Sequence, residues 1–108
     1  MKPASLDDLQ ANADRMAARL KVMSNPLRLM MLCRLEEGEV SVNELVALTG
    51  LAQSSVSQHL ALLRAEGVVS IRQQAQTRFY RLTDPVVRAV IQTLCTLCDH
   101  GCDETATH

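Results

Sequence analysis

The chain of 108 residues has no tryptophan, one phenylalanine (Phe79) and one tyrosine (Tyr80). Almost half of it is nonetheless apolar, so the core must be built from Leu, Val, Met and Ala, a set that suits helices. No apolar run approaches the roughly 18 residues of a membrane span. The opening segment MKPASLDDLQ also lacks the apolar stretch of a signal peptide. These absences lead to the expectation of a cytoplasmic protein with no membrane partner. In that compartment Cys33, Cys95, Cys98 and Cys102 are expected as thiols or metal ligands rather than structural disulfides. Eleven basic residues against twelve acidic ones leave a net charge of −1, which excludes a nonspecific polycation. The length fits one domain over residues 1–108, small enough that dimerisation would add useful stability.

Charge is unevenly distributed along the chain. Residues 41–82 carry Arg64, Arg72, Arg78 and Arg81 against Glu44 and Glu66. Residues 83–108 carry Arg88 against Asp84, Asp99, Asp103 and Glu104. A basic middle and an acidic end fit phosphate contact at one face, although an ordinary solvated surface would give the same composition.

What is present is a succession of helix punctuation. Ser5 followed by Asp8 predicts an N-terminal cap, and Leu6, Leu9, Ala13, Met16, Leu20 and Met23 then alternate by three and four as in a pairing seam. Ser24-Asn25-Pro26 stops that helix and starts a second, running to about Glu37 with Leu27, Met31 and Leu35 on one side. Ser41 and Glu44 form a capping box for a short helix with Val42, Leu45 and Leu48, ending at Gly50. A further helix from about Ala52 to Glu66, closed by Gly67, completes a helix-turn-helix over 41–67. Val69 and Ile71 alternate with polar residues, and Phe79–Leu82 form a second strand after the polar link Gln73–Thr77, so 68–82 predicts a β-hairpin. Thr83-Asp84-Pro85 restarts a helix with Val87, Val90, Leu94 and Leu97 on one stripe. The fold class is therefore mainly α with a small β-hairpin, ordered helix–helix–helix–helix–strand–strand–helix. A hairpin directly after such a helix pair makes a winged helix-turn-helix, and helices 5–23 and 84–100 are left to pair two copies.

The most informative stretch is TGLAQSSVSQHLALLRAEG, residues 49–67. Val56, Leu60 and Leu63 fall at i, i+4 and i+7 as a buried stripe. The opposite side carries Gln53, Ser54, Ser57 and Gln58 in place of the usual Lys/Glu mixture. Short hydroxyls and amides can approach another molecule closely and hydrogen-bond base edges, which makes this a candidate recognition helix.

These residues resemble the ArsR/SmtB family of dimeric bacterial repressors. NPLRLMMLCRL is similar to the family's second helix, SVNELVALTGLAQSSVSQHLALLRAEGVV to its helix-turn-helix, and AQTRFYRLTDP to its wing and exit. The resemblance covers about Leu20 to Leu97. Cys33 within the second helix, together with QTRFYRL, resembles the branch that senses sulfide and reactive sulfur through two cysteines. The resemblance implies a recognition helix in the major groove, with Gln53, Ser54, Ser57, Gln58 and His59 facing the bases. His59 adjoins Leu60, and packing within the fold is an equal alternative for it. The wing would reach the neighbouring minor groove or backbone through Arg72, Gln76 and Arg78, and Arg64 belongs to the same basic DNA-binding set. A two-fold homodimer implies double-stranded DNA with an inverted-repeat operator, its half-sites about one turn apart.

For the cysteines, two expectations stand side by side. In one, Cys33 and Cys98 form a redox switch of the disulfide or polysulfide kind, needing no cofactor. The resemblance departs here: the branch's second cysteine falls where this chain has Asp99, and Cys98 is one residue early, about 100° away on a helix. In the other, Cys95, Cys98 and Cys102, at i, i+3 and i+7, capture a thiophilic inducer such as As(III), Cd(II) or Zn(II). The segment CDHGC resembles the tails of some arsenic-sensing members. Cysteine as a small buried apolar residue is the plainer alternative. An enzyme, specifically a thiol oxidoreductase, is not expected, because CxxC lies at a helix C-terminus rather than at an N-terminus near a βαβ unit.

Overall fold

The computed structural model describes residues 5–98. Its elements are α1 (Leu6–Met23), α2 (Pro26–Glu37), β1 (Val40–Ser41), α3 (Val42–Thr49), α4 (Gln53–Ala65), β2 (Val69–Gln74), β3 (Thr77–Leu82) and α5 (Pro85–Leu97). The architecture is a mainly helical winged helix-turn-helix, as the sequence predicts. Residues 99 and 100, which the sequence pattern assigns to the last helix, lie outside the described residues, as does Cys102.

Local chemistry explains where each helix begins. Ser5 Oγ accepts from the Asp8 amide, and Asn25 Oδ1 accepts from the amides of Leu27 and Arg28 at 2.9 and 3.1 Å. Ser41 and Glu44 form the full reciprocal capping box ahead of α3. Asp84 Oδ1 takes the amides of Val86 and Val87 ahead of α5. Each cap satisfies amides that a helix N-terminus otherwise leaves open. The end of α4 is a Schellman turn: Val68 N–H donates to Leu63 O and Gly67 N–H to Arg64 O, both at 2.9 Å, with Gly67 at φ +75°. This turn reverses the chain from α4 into the hairpin.

One core unites the elements. Met31, Leu32 and Leu35 of α2 meet Leu45 of α3, the stripe Val56, Leu60 and Leu63 of α4, and Val87 and Ile91 of α5. The only tyrosine, Tyr80, is buried beside Val40 and Leu82 where the wing enters this core. The seam of α1 behaves differently. Leu6, Leu9, Met16 and Leu20 are exposed, and only its last turn, Val22 and Met23, is buried. On α5 the expected stripe divides: Val87 is buried, whereas Leu94 and Leu97 are exposed.

Two features of the sheet differ from the sequence reading. It has three strands in the order β1-β3-β2, because Val40 and Ser41 pair antiparallel with Tyr80 and Phe79. The hairpin tip is also shorter than Gln73–Thr77. Pairing continues to Gln74↔Thr77, leaving Ala75 and Gln76 as a two-residue turn. Ala75 sits at φ +56°, a left-handed conformation that a β-carbon disfavours. Ala75→Gly is therefore expected to stabilise the protein by about 0.5–1 kcal/mol, seen as a higher denaturation midpoint at unchanged m-value.

Candidate nucleic-acid interface and thiol pair

The turn between α3 and α4 is set by Gly50 at φ +72°, and Thr49 Oγ1 reinforces it by accepting from the Leu51 amide. With Val56, Leu60 and Leu63 fully buried, α4 must turn its other side outward. Gln53, Ser54, Ser57 and Gln58 are exposed or half-exposed there. A polar groove of about 240 Å³ runs from the start of α4 to the hairpin, lined by Gln53, Ser57, Gln76 and Arg78 among others. A second groove continues along Ser57, Ala61, Arg64 and Arg78. The structure thus brings Gln53 and Ser57 of α4 together with Arg64, Gln76 and Arg78, while Ser54 and Gln58 are exposed on α4 outside these two grooves.

Two of the anticipated residues are engaged within the fold. Arg72 makes a two-pronged ion pair with Glu39, at 3.1 and 2.7 Å, donates to Gln74 Oε1 and lies 4.8 Å over the Phe79 ring. The Arg72 hydrogen bond holds the Glu39 carboxyl below its ordinary value and outweighs a slight desolvation. A phosphate approaching this arm of the wing must therefore compete with Glu39. Glu39→Gln is expected to raise DNA affinity about two- to fivefold at low salt and steepen its salt dependence, as read by fluorescence anisotropy. His59 is half-buried, and its Nδ1 lies 3.3 Å from Arg28 Nη1 of α2.

The cysteines form a second constellation, between α2 and α5. Cys33 Sγ and Cys95 Sγ are 3.3 Å apart, and both are half-buried. Cys98, anticipated as the partner of Cys33, is exposed at the end of α5. The difference is one of helical phase. Cys95 follows buried Ile91 by four residues and so turns toward α2, whereas Cys98 is rotated off that line. All three thiols still border one largely apolar groove with Leu29, Met30 and Leu94. Burial is the main force pushing the Cys33 thiol up to about 12, followed by its contact with Cys95 and the nearby Cys98 and Glu36. Across a thiol–thiol contact either sulfur can donate. The raised value of Cys33 means that Cys33 keeps its proton near neutral pH. Among the described residues, no group of three or more His, Cys, Asp or Glu side chains is arranged to hold a metal ion. The Cys95–Cys98–Cys102 set cannot be assembled here, since Cys102 lies outside them.

This arrangement of helices, wing and turn has known counterparts. Residues 25–70 match the bacterial regulatory protein, arsR family. The transcriptional activator HlyU of Vibrio cholerae is 44% identical over 92 residues, 85% of each chain. The chain belongs to the arsR family. The biofilm growth-associated repressor of Xylella fastidiosa is 40% identical over 91 residues, 84% of this chain and 80% of the relative. The solved structure of reduced HlyU from Vibrio cholerae superposes with a TM-score of 0.82 at 43% identity, covering 85% of this chain and 97% of that one. As an arsR-family protein it is a DNA-binding transcriptional regulator, not an enzyme. No helix among the described residues is long and apolar enough to cross a membrane.

Proposed function

We propose that the protein is a cytoplasmic, homodimeric repressor that holds an inverted-repeat operator when reduced and releases it when Cys33 and Cys95 oxidise. The observation that carries the switch is the 3.3 Å separation of the two sulfurs, bridging α2 and α5. A disulfide of about 2.05 Å needs only a small further approach. The exposed apolar residues of α1 and of α5, Leu94 and Leu97 among them, supply a face for the second copy. A covalent tie between α2 and α5 would reorient α5 against that copy and change the separation of the two recognition helices.

The chemistry assigns an order to the thiols. Cys33 is held as a thiol, so Cys95 attacks first. With a low-molecular-weight persulfide RSSH as oxidant, the Cys95 thiolate takes the outer sulfur and releases RSH, leaving a persulfide on Cys95. Capping Cys95 removes the contact that, after burial, does most to keep Cys33 protonated, and Cys33 gives up its proton to the departing hydrosulfide. Cys33 then attacks the inner sulfur, forming the Cys33–Cys95 disulfide and expelling hydrogen sulfide. Two thiols and one RSSH become one disulfide, one RSH and one hydrogen sulfide.

The test is a gel shift on the protein's own promoter duplex, before and after treatment with glutathione persulfide, with intact mass measured in parallel. Binding in the reduced state, release after treatment and loss of two hydrogens are expected. Failure of the reduced protein to bind at low salt would sink the regulator reading. Release by arsenite with all thiols retained on one bound arsenic would favour capture by the C-terminal cysteines instead.

A further inference from the structure

The recognition helix is flanked on one side by the wing, where Ser57, Ala61 and Arg64 border a groove with Arg78. Its other flank carries His59, and that side faces α2 rather than the wing. Arg28 stands between this flank and the end of α1. Its Nε donates to Val22 O at 2.6 Å, and its Nη1 approaches His59 Nδ1 at 3.3 Å. Its backbone amide is held by the Asn25 cap, which fixes where the side chain begins.

A guanidinium has five N–H donors and no acceptor. The hydrogen bond between Arg28 and His59 therefore runs one way, with Arg28 donating and Nδ1 accepting through its lone pair. The ring proton must then reside on Nε2, the nitrogen on the far side of the ring from Arg28. A half-buried histidine left to itself can exchange tautomers; one held by an arginine cannot without losing the bond. We infer that Arg28 is a positioning residue, fixing His59 as the Nε2–H tautomer so that this N–H serves as a hydrogen-bond donor to the DNA backbone. His59 would thereby grip the duplex on the flank opposite Arg64 and Arg78. The inference rests on the reading of α4 as the DNA-contacting helix, and adds which atom of His59 makes the contact and what fixes it.

The chain has three histidines, so His59 is assigned in long-range 15N–1H spectra of the full-length protein by its loss in His59→Gln. In the wild type, Nδ1 should show the shift of an unprotonated nitrogen and Nε2 that of a protonated one. Arg28→Met should mix the tautomers and weaken binding to the promoter duplex about three- to tenfold, the size of one lost hydrogen bond. In the His59→Gln background, Arg28→Met should cost little more, a coupling that a merely structural arginine would not produce. Arg28→Lys keeps a donor and a charge, and should restore part of both readouts if Arg28→Met proves unstable. A wild-type Nδ1–H tautomer, or additive losses in the double variant, would overturn the role of Arg28. A wild type that shows the Nε2–H form yet binds no DNA would overturn the reading of α4 itself.

Discussion

Cys95→Ser is expected to abolish persulfide-triggered release from the operator, and Cys33→Ser to do the same, while both proteins bind DNA normally when reduced. Allosteric coupling of this kind is worth about 5- to 150-fold in affinity, so the response should vanish from an anisotropy titration rather than shift. Cys98→Ser is the informative control. Its thiol borders the same groove but is exposed at the end of α5, and its removal should leave release intact. If Cys98→Ser fails to respond and Cys95→Ser responds, the bond forms with Cys98 and α5 must turn to allow it. The order of attack has its own readout. At near-neutral pH, iodoacetamide should label Cys95 before Cys33, because burial and the neighbouring thiols keep Cys33 protonated, with its value pushed up to about 12. Faster labelling of Cys33 would reverse the assigned roles.

Asp84→Ala is expected to be the most destabilising single change outside the apolar core. Asp84 is buried, yet its two oxygens are fully used: Oδ1 caps α5 through Val86 and Val87, and Oδ2 takes Arg19 Nε of α1 at 2.7 Å. Losing the cap and a charge-assisted hydrogen bond together should cost about 2–4 kcal/mol, measured by urea denaturation at fixed protomer concentration. Asp84→Asn keeps an oxygen for the cap and should lose less. The carboxyl also has an acid signature. Burial alone would raise its value, but the Val87 amide, Arg19 and the Val86 amide together hold it below the ordinary carboxylate range. A lowered folded value means that its stabilisation is complete above the unfolded value and fades as pH falls through the folded one. The stability gap between the wild type and Asp84→Asn should thus narrow in acid. A gap that widens in acid would show that Asp84 is not ionised in the native state.

The features legible in the sequence are those set by neighbours along the chain. Ser5, Asn25, Ser41 and Asp84 cap four helices because their side chains reach amides two or three residues on. The stripe Val56, Leu60 and Leu63 could be read as buried because period 3.6 leaves it no other side. Distant pairings were hidden. A two-residue strand such as Val40–Ser41 carries no periodic signal, and exists only because β3 supplies its partners. The tip at Ala75 was missed because a left-handed residue is normally announced by Gly or Asn. The Glu39–Arg72 pair spans 33 residues, the Arg28–His59 contact 31 and the Cys33–Cys95 contact 62, separations at which spacing says nothing. For the cysteines, the sequence showed thiols on two helices but not the rotation of α5 about its axis, which decides which of them meet.

The shortest strand among the described residues, β1, bears on how any signal could travel. Ser41 pairs with Phe79 of the wing and, through its hydroxyl, holds the first turn of α3. Wing and helix-turn-helix are thus joined at both ends, by β1 at the front and by the Gly67 turn behind. A double tie of this kind favours motion as a single head over folding of the wing away from the helix. The thiols lie outside it, where α2 meets α5. In the proposed dimer, a chemical event there would swing one head relative to its twin, much as the jaws of a caliper are reset without being reshaped.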